Sequence, residues 1–288
     1  MPTVMQLAIK FPCETTHPAP HGEPHPFLLP HLPVKNPSMP SVWDDTLLAN
    51  PHALADKKLR VRKMFAAIAP SYDLNNRLHS FWMDQRWRKI AVRMADLKPA
   101  DRVLDVACGT GDLALRFARE LSRIGGKMPV GVDFTFEMLP IAQRKSLAAS
   151  RQIAWINGDA MALPVADNSV DVVSIAFGIR NVADPLAACR EFRRVLKPGG
   201  RLIMLEFSIP TIPPLRAMFN FYFHQILPRT ATWISSDKTG AYKYLPKSVN
   251  TFIDRPDMLK MIESAGFAQA RQFPLTFGIC VCYRGIVA

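Results

Sequence analysis

Three carboxylates recur at equivalent places along this chain of 288 residues. Asp105 lies in Val103-Leu-Asp105-Val-Ala-Cys-Gly109-Thr110-Gly111-Asp112, Asp133 closes the apolar run before it, and Asp159 sits in Asn157-Gly158-Asp159-Ala160. Each stands where a short apolar stretch gives way to a loop. The glycines after Asp105 let backbone N–H groups come close to a ligand, and the helix start behind them favours negative charge. An acidic side chain just ahead of that loop disfavours a dinucleotide pyrophosphate and suits a ligand with a cationic end. Asp133, 22 residues past Gly111, is placed to accept both hydroxyls of a ribose. Asp159 can accept from an adenine amino group while Ala160 packs on the ring. The loop also fits Gly-x-Gly-x-x-Ala with Ala114 last, a variant that nucleotide-dependent oxidoreductases tolerate, so that reading stays open at this level.

Positioning three strand-end carboxylates requires a parallel sheet. Apolar runs at 102–106, 129–132, 153–156, 170–176 and 201–207 read as strands, and the stretches 112–121, 135–148 and 184–196 between them have helical spacing. Lys197-Pro-Gly-Gly200 reads as the turn into the fifth strand. This rhythm predicts an α/β, doubly wound, mostly parallel sheet with helices on both faces. Residues 268–273 and 277–287 complete seven strands as a pair at one edge. Ahead of the sheet, helical spacing at 56–69 and 84–95 predicts an N-terminal helical lid spanning 56–97. After strand five, residues 210–250 are aromatic-rich and read as an inserted helical cap, and 256–265 is one more helix.

Residues 1–55 hold eleven of the 25 prolines and five of the seven histidines, a density that disfavours helix and sheet and predicts a disordered or extended tail. The domain proper is therefore expected at 56–288. Net charge is +12, with −2 in the first 55 residues and +14 in the rest. A basic body suits an anionic partner surface, either nucleic acid or membrane. Five scattered cysteines do not form a disulfide framework and point to a reducing, cytoplasmic setting. Cys280 and Cys282 read as core thiols on one strand face, and no metal site is expected. A nucleic-acid methylating enzyme is disfavoured: there is no Asn/Asp-Pro-Pro-aromatic motif, and the only Pro-Cys is Pro12-Cys13 in the tail.

Other segments are more selective: Tyr72-Asp-Leu-Asn-Asn-Arg-Leu-His-Ser80-Phe-Trp-Met-Asp-Gln-Arg-Trp87, Phe177-Gly-Ile-Arg180-Asn181-Val, Arg194-Val-Leu-Lys-Pro-Gly-Gly-Arg-Leu-Ile-Met-Leu-Glu206-Phe-Ser208, and Phe223-His224-Gln-Ile-Leu-Pro-Arg229 with Tyr242-Lys-Tyr-Leu-Pro246. With them the chain from Leu59 onward resembles the class I S-adenosylmethionine-dependent methyltransferases, whose sheet is Rossmann-like. More narrowly, it resembles the ubiquinone/menaquinone biosynthesis C-methyltransferases (UbiE-type), which include demethylmenaquinone methyltransferases. The family often has Met at Asn75, His at Asp84, Gly at Cys108 and Ser at Ala176. Alanine there leaves only packing or backbone to offer the cofactor.

The resemblance implies S-adenosylmethionine as cofactor. Asp105 and the loop through Gly109, Thr110 and Gly111 would face its methionine end, Asp133 its ribose, Asp159 and Ala160 its adenine, and Ala176 would pack nearby. It also implies methyl transfer to a ring carbon of a prenylated hydroquinone, demethylmenaquinol or the corresponding ubiquinol precursor. Arg180, helped by Asn181, would stabilise the phenolate, and His224 in the cap is the titratable candidate for a base. Tyr72 and Asp73 would belong to the lid, and Glu206 and Ser208 to the substrate mouth. So apolar a substrate implies peripheral contact with a membrane or a quinone-biosynthesis complex, with an oligomer left open. The alternatives are another small-molecule acceptor, a nucleotide-dependent oxidoreductase, and a non-enzymatic membrane-associated binding protein.

Overall fold

Val103–Val106 (β1) is buried at all four positions, and Val170–Ala176 (β4) at five of seven, as strands covered on both faces must be. In the computed structural model, which describes residues 42–288, these two strands lie side by side at the centre of a seven-stranded sheet. Val130–Asp133 (β2) and Ala154–Asn157 (β3) extend it on one side. Leu196–Phe207 (β5), Cys280–Val287 (β7) and Phe267–Leu275 (β6) extend it on the other, giving the order β3-β2-β1-β4-β5-β7-β6. All pairings are parallel except those of β7, which runs antiparallel to both neighbours. Strand order reverses between β1 and β4, and a crevice opens outside the carboxyl ends of strands at such a point.

Alternation along the strands splits the core into two layers. Leu202 and Met204 of β5 pack with Phe192, Val195 and Ile262, from Pro185–Val195 (α6) and Arg255–Ser264 (α10). Ile203 and Leu205 face the other way, toward Phe117, Leu121, Trp87 and Ala91 of Asp112–Arg123 (α4) and Met83–Met94 (α3). Cys280 and Cys282 are fully buried in this second layer. Leu139–Ala148 (α5) packs on β3.

A third cluster lies beyond the sheet and unites lid with cap. The lid is Lys57–Ile68 (α1), a tight turn at Pro70, Tyr72–His79 (α2) and α3. The cap is Pro213–Phe221 (α7), a π-helical segment Tyr222–Ile226, Leu227–Ser235 (α8) and Ala241–Asn250 (α9). Pro228 has no N–H to give the carbonyl of His224, and the helix widens just before it. Met64 and Ile68 of the lid meet Phe219, Phe223 and Tyr244 of the cap in one apolar cluster.

Three expectations are corrected. Residues 42–55 are not an extended tail: Trp43 is 1% exposed, stacks on Tyr244 at 4.5 Å and bonds backbone to backbone with Thr239. His52 sits 2.8 Å from the carbonyl of Ser248. Two large apolar side chains, Trp43 and Leu48, outweigh the proline content of this stretch. The rest of the expected tail, including Cys13 and four of its histidines, lies outside the described residues. The last two strands do form the expected pair at one edge, with β7 beside β5 and β6 terminal. The turn Lys197–Gly200 lies within β5, where the register on β4 jumps from Val170–Leu196 to Val172–Arg201. Residues 72–79, to which periodicity assigned no element, form α2.

Candidate active site

The carboxyl ends of β1, β2, β3 and β4 and helix α1 enclose a cavity of about 770 Å³, partly open to solvent. Gly109, Asp133, Asp159, Ala160, Ala176 and Asn181 all line it. Asp133 is nearly buried and organises the entrance: Oδ2 accepts from Gly109 N–H at 2.7 Å and Oδ1 from Thr135 N–H at 2.7 Å. Gly109 has φ +54°, a conformation glycine takes without cost. Burial pushes the Asp133 pKa up to about 6, against those two N–H bonds. Asp159 accepts from Met161 N–H at 3.0 Å and receives Lys58 of the lid at 2.5 Å.

A smaller recess of about 320 Å³ continues inward, bordered by Asp105, Gly109, Thr110, Ala176, Arg88 and Tyr72. Asp105 is 1% exposed; Ser174 Oγ donates to its Oδ1 at 2.6 Å, and its Oδ2 is buried without a hydrogen-bond partner. Burial raises its pKa to about 7, against the pull of Ser174 and Arg88. The orphaned oxygen is what a cationic ligand end would satisfy. With the carboxylate at β2 and the apolar Ala160 and Met161 beside Asp159, the residues present fit a nucleoside bearing a positively charged arm.

Gly111 does not line either space. Its φ is +84°, and a Cβ there would lie 2.5 Å from the Trp155 ring, so this glycine starts α4 and makes room for a tryptophan. In this structure it holds a packing position. The lid is fastened over the loop by a chain of polar contacts. Thr110 Oγ1 donates to Asp73 at 2.6 Å, and Lys145 of α5 reaches Asp73 at 2.6 Å and Asp112 at 2.5 Å. Arg77 adds a contact to Asp112 at 3.1 Å. Burial opposes ionisation of Asp112, yet Arg88, Lys145 and Arg77 bring its pKa down to about 2.

Beside the first cavity lies a second, of about 620 Å³, between lid and cap. Phe65, Tyr72 and Phe177 border both, so the two spaces are neighbours. Tyr72 also borders the inner recess and stands where all three spaces meet. Two buried guanidinium groups face the second cavity. Arg180 Nη1 donates to Glu206 at 2.6 Å and to the Phe177 carbonyl at 2.8 Å, with its guanidinium 5.4 Å from the Phe207 ring. Arg88 donates to Asp84 at 2.7 Å and lies 5.5 Å from the Phe177 ring. Both arginines leave Nε buried and unpartnered.

Asn181, in the same turn as Arg180, gives Nδ2 to the Phe177 carbonyl at 3.2 Å and accepts from Tyr244 OH at 2.9 Å. Lys57, 2% exposed, props the turn by donating to the Val182 carbonyl at 2.6 Å. Burial, then the charge of Arg180, lowers its pKa to about 8.

His224 is not brought to the site. The π-helical segment turns Phe223 into the core and leaves His224 at the end of α9, 2.7 Å from Asn250, where it borders neither cavity. Ser208 likewise is held by Arg255 at 2.7 Å. Sequence reasoning missed Arg88, Lys57, Lys58 and Tyr244. The Asp84–Arg88 spacing of four was the one visible signal, since on a helix it places the two side chains together.

Comparison with known proteins agrees with this geometry. The sequence profile of the ubiE/COQ5 methyltransferase family matches residues 53–287. The Ubiquinone/menaquinone biosynthesis C-methyltransferase UbiE of Syntrophotalea carbinolica is 46% identical over 224 residues, covering 78% of this chain and 92% of the relative. The demethylmenaquinone methyltransferase of Thermus thermophilus is 46% identical over 223 residues, covering 77% and 99%. Among solved structures, a methyltransferase of Haloferax volcanii in complex with its activator superposes with a TM-score of 0.54 at 20% identity, over 77% of this chain and 97% of that one, a likeness of fold. Strand-end carboxylates, a glycine loop under a helical lid and a profile match across nearly all described residues converge: the chain belongs to the ubiE/COQ5 methyltransferase family.

Proposed function

We propose that the protein transfers a methyl group from S-adenosylmethionine to a ring carbon of a prenylated hydroquinone, a naphthoquinol or benzoquinol of quinone biosynthesis. The observation that carries this reading is the shared wall. A carboxylate-lined cavity for a nucleoside with a cationic arm lies beside an aromatic cavity holding Arg180, and Phe65, Tyr72 and Phe177 line both. Asp133 would hold the ribose hydroxyls, Asp159 and Ala160 the adenine, and Asp105 and Thr110 the methionine end; Ala176 adds packing. When bound, the cofactor supplies an electrophilic methyl group on a sulfonium.

Ring carbon is a weak nucleophile until a neighbouring phenol ionises. Arg180 beside the phenol oxygen favours the anion and lowers the phenol pKa. The O–H proton would pass to water at the cavity mouth, and the electron density left on the ortho carbon would accept the methyl group that the cofactor supplies, the cofactor leaving as the neutral thioether. Loss of the ring C–H proton and return of a proton to the oxygen would restore the aromatic hydroquinone, with one proton released overall. Glu206 orients Arg180, Asn181 and Lys57 hold its turn, and the aromatic walls exclude water. With His224 outside the cavity, phenolate stabilisation rather than a histidine base carries the first step.

Among the described residues no helix is long and apolar enough to cross a membrane, so a polyprenyl substrate must be met at a surface. Incubating the protein with methyl-labelled S-adenosylmethionine and a panel of naphthoquinols and benzoquinols tests the reading. Label on a ring carbon is expected; label on no quinol, or only on oxygen, overturns it.

A further inference from the structure

Large apolar side chains exposed on this protein are concentrated in two places that touch: α2 with the turn after it, and the helix α7–α8. Phe81 is 73% exposed and Trp233 83%, and Trp82, Met218 and Phe221 are each more than half exposed. The two places form one surface. Tyr222 OH donates to the His79 carbonyl at 3.0 Å, the Phe81 and Tyr222 rings are 5.9 Å apart, and His79 meets Thr230 at 2.8 Å.

The turn projects on purpose. Phe81 and Trp82 are consecutive left-handed residues, φ 51° and 60°, a conformation disfavoured for bulky side chains, yet both rings end in solvent rather than in the core. The two stretches that form it also carry no acidic side chain. No acidic residue occurs between Asp73 and Asp84 or between Glu206 and Asp237, while Arg77, Arg216 and Arg229 fall in those stretches. Ser80, next to Phe81, lines the second cavity, so a tail leaving that cavity past Ser80 emerges beside the aromatic turn.

We propose that this surface is an interfacial docking patch for an anionic lipid bilayer, with Phe81, Trp82 and Trp233 entering the headgroup–acyl boundary and Arg216 and Arg229 meeting lipid phosphates. Tryptophan, apolar rings and arginines without acids are the composition that such a boundary selects. The pairing of patch with cavity mouth rests on the prenylated-acceptor reading; the patch itself does not.

Vesicle flotation of the full chain, without substrate, tests it. Vesicles of phosphatidylethanolamine and phosphatidylglycerol should float the protein, and phosphatidylcholine vesicles should do so less. Phe81→Ser with Trp82→Ser and Trp233→Ser should cut partitioning by about tenfold or more. Brominated acyl chains should quench fluorescence in wild type and not in Trp82→Phe with Trp233→Phe. Turnover of a short-chain, water-soluble quinol should be unchanged in the serine variant, which shows it to be folded. Unchanged flotation in that variant overturns the proposal. So does a vesicle-indifferent protein whose mass falls from dimer to monomer on the same substitutions, which makes the patch an interface between copies. Because flotation needs no acceptor, failure of the quinol assay and failure of this one are separate results.

Discussion

Arg180 and Glu206 are the residues where a change separates chemistry from binding. Arg180→Lys keeps charge but loses the planar fork that meets Glu206 and Phe177, so kcat should fall while cofactor affinity stays near wild type. Arg180→Ala should cost more, on the order of 10²-fold in kcat, with a defect that shrinks for more acidic phenols. Glu206→Gln leaves a buried guanidinium without its counter-charge and should also destabilise the fold by about 3–5 kcal/mol, read by denaturant titration. The cofactor side has its own signature in pH. Asp133 and Asp105 are held above the unfolded value, at about 6 and about 7, so the folded protein retains protons that the unfolded chain has lost from about pH 4 upward. Their contribution to stability is therefore present at low pH and declines as pH rises through those values. A ligand that donates hydroxyls to Asp133 and a cation to Asp105 favours the ionised forms, expels protons and binds more tightly as pH rises from 5 to 7. Calorimetry in buffers of different ionisation enthalpy should record proton release on the order of one per molecule near pH 6; pH-independent affinity would sink this assignment. Asp133→Ala removes the acceptor of Gly109 and Thr135 as well as of the ligand, and should weaken binding by about 3 kcal/mol. These carboxylates were legible in sequence because strand ends are. The partner of Arg180 was not, since nothing in Phe177–Asn181 says that residue 206 will lie 2.6 Å away.

At the scale of elements, the lid is tied down by charges from three helices. Lys145 on α5 joins Asp73 on α2 to Asp112 on α4, and Thr110 donates to Asp73. Lys145→Met should loosen α2 over the glycine loop, raising KM for the cofactor about three- to tenfold with little change in kcat, since a part-buried pair contributes roughly 1 kcal/mol. Equal losses in kcat and kcat/KM would place Lys145 in the chemistry instead. Alternating strands and helices made the sheet legible, because burial on two faces writes itself as apolar runs. The order of the last two strands was not drawn from the sequence, although the apolar run of β7 suits the interior place beside β5 and Gln269, Arg271 and Gln272 suit β6 at the edge. Helix α2 escaped because its polar residues face Asp112 and the His79–Thr230 contact rather than an apolar layer.

At the scale of the molecule, lid, cap and residues 42–55 share one apolar cluster that the sheet does not supply. Proline density hid this, because composition averaged over 55 residues masks one tryptophan. A chain starting at Val42 should melt on the order of 10 °C above one starting at Asp56, since losing a buried tryptophan costs about 3–5 kcal/mol in a domain of this size. Equal melting curves would show that Trp43 contributes nothing. Trp43 stacks on Tyr244, the Tyr244 hydroxyl donates to Asn181, and Asn181 adjoins Arg180. The stretch 42–55 is thus linked through Tyr244 to the turn that carries Arg180. A cut or an insertion just ahead of α1 should therefore be felt at Tyr244, on the wall of the second cavity, and the stretch 42–55 becomes a handle on turnover that lies outside both cavities.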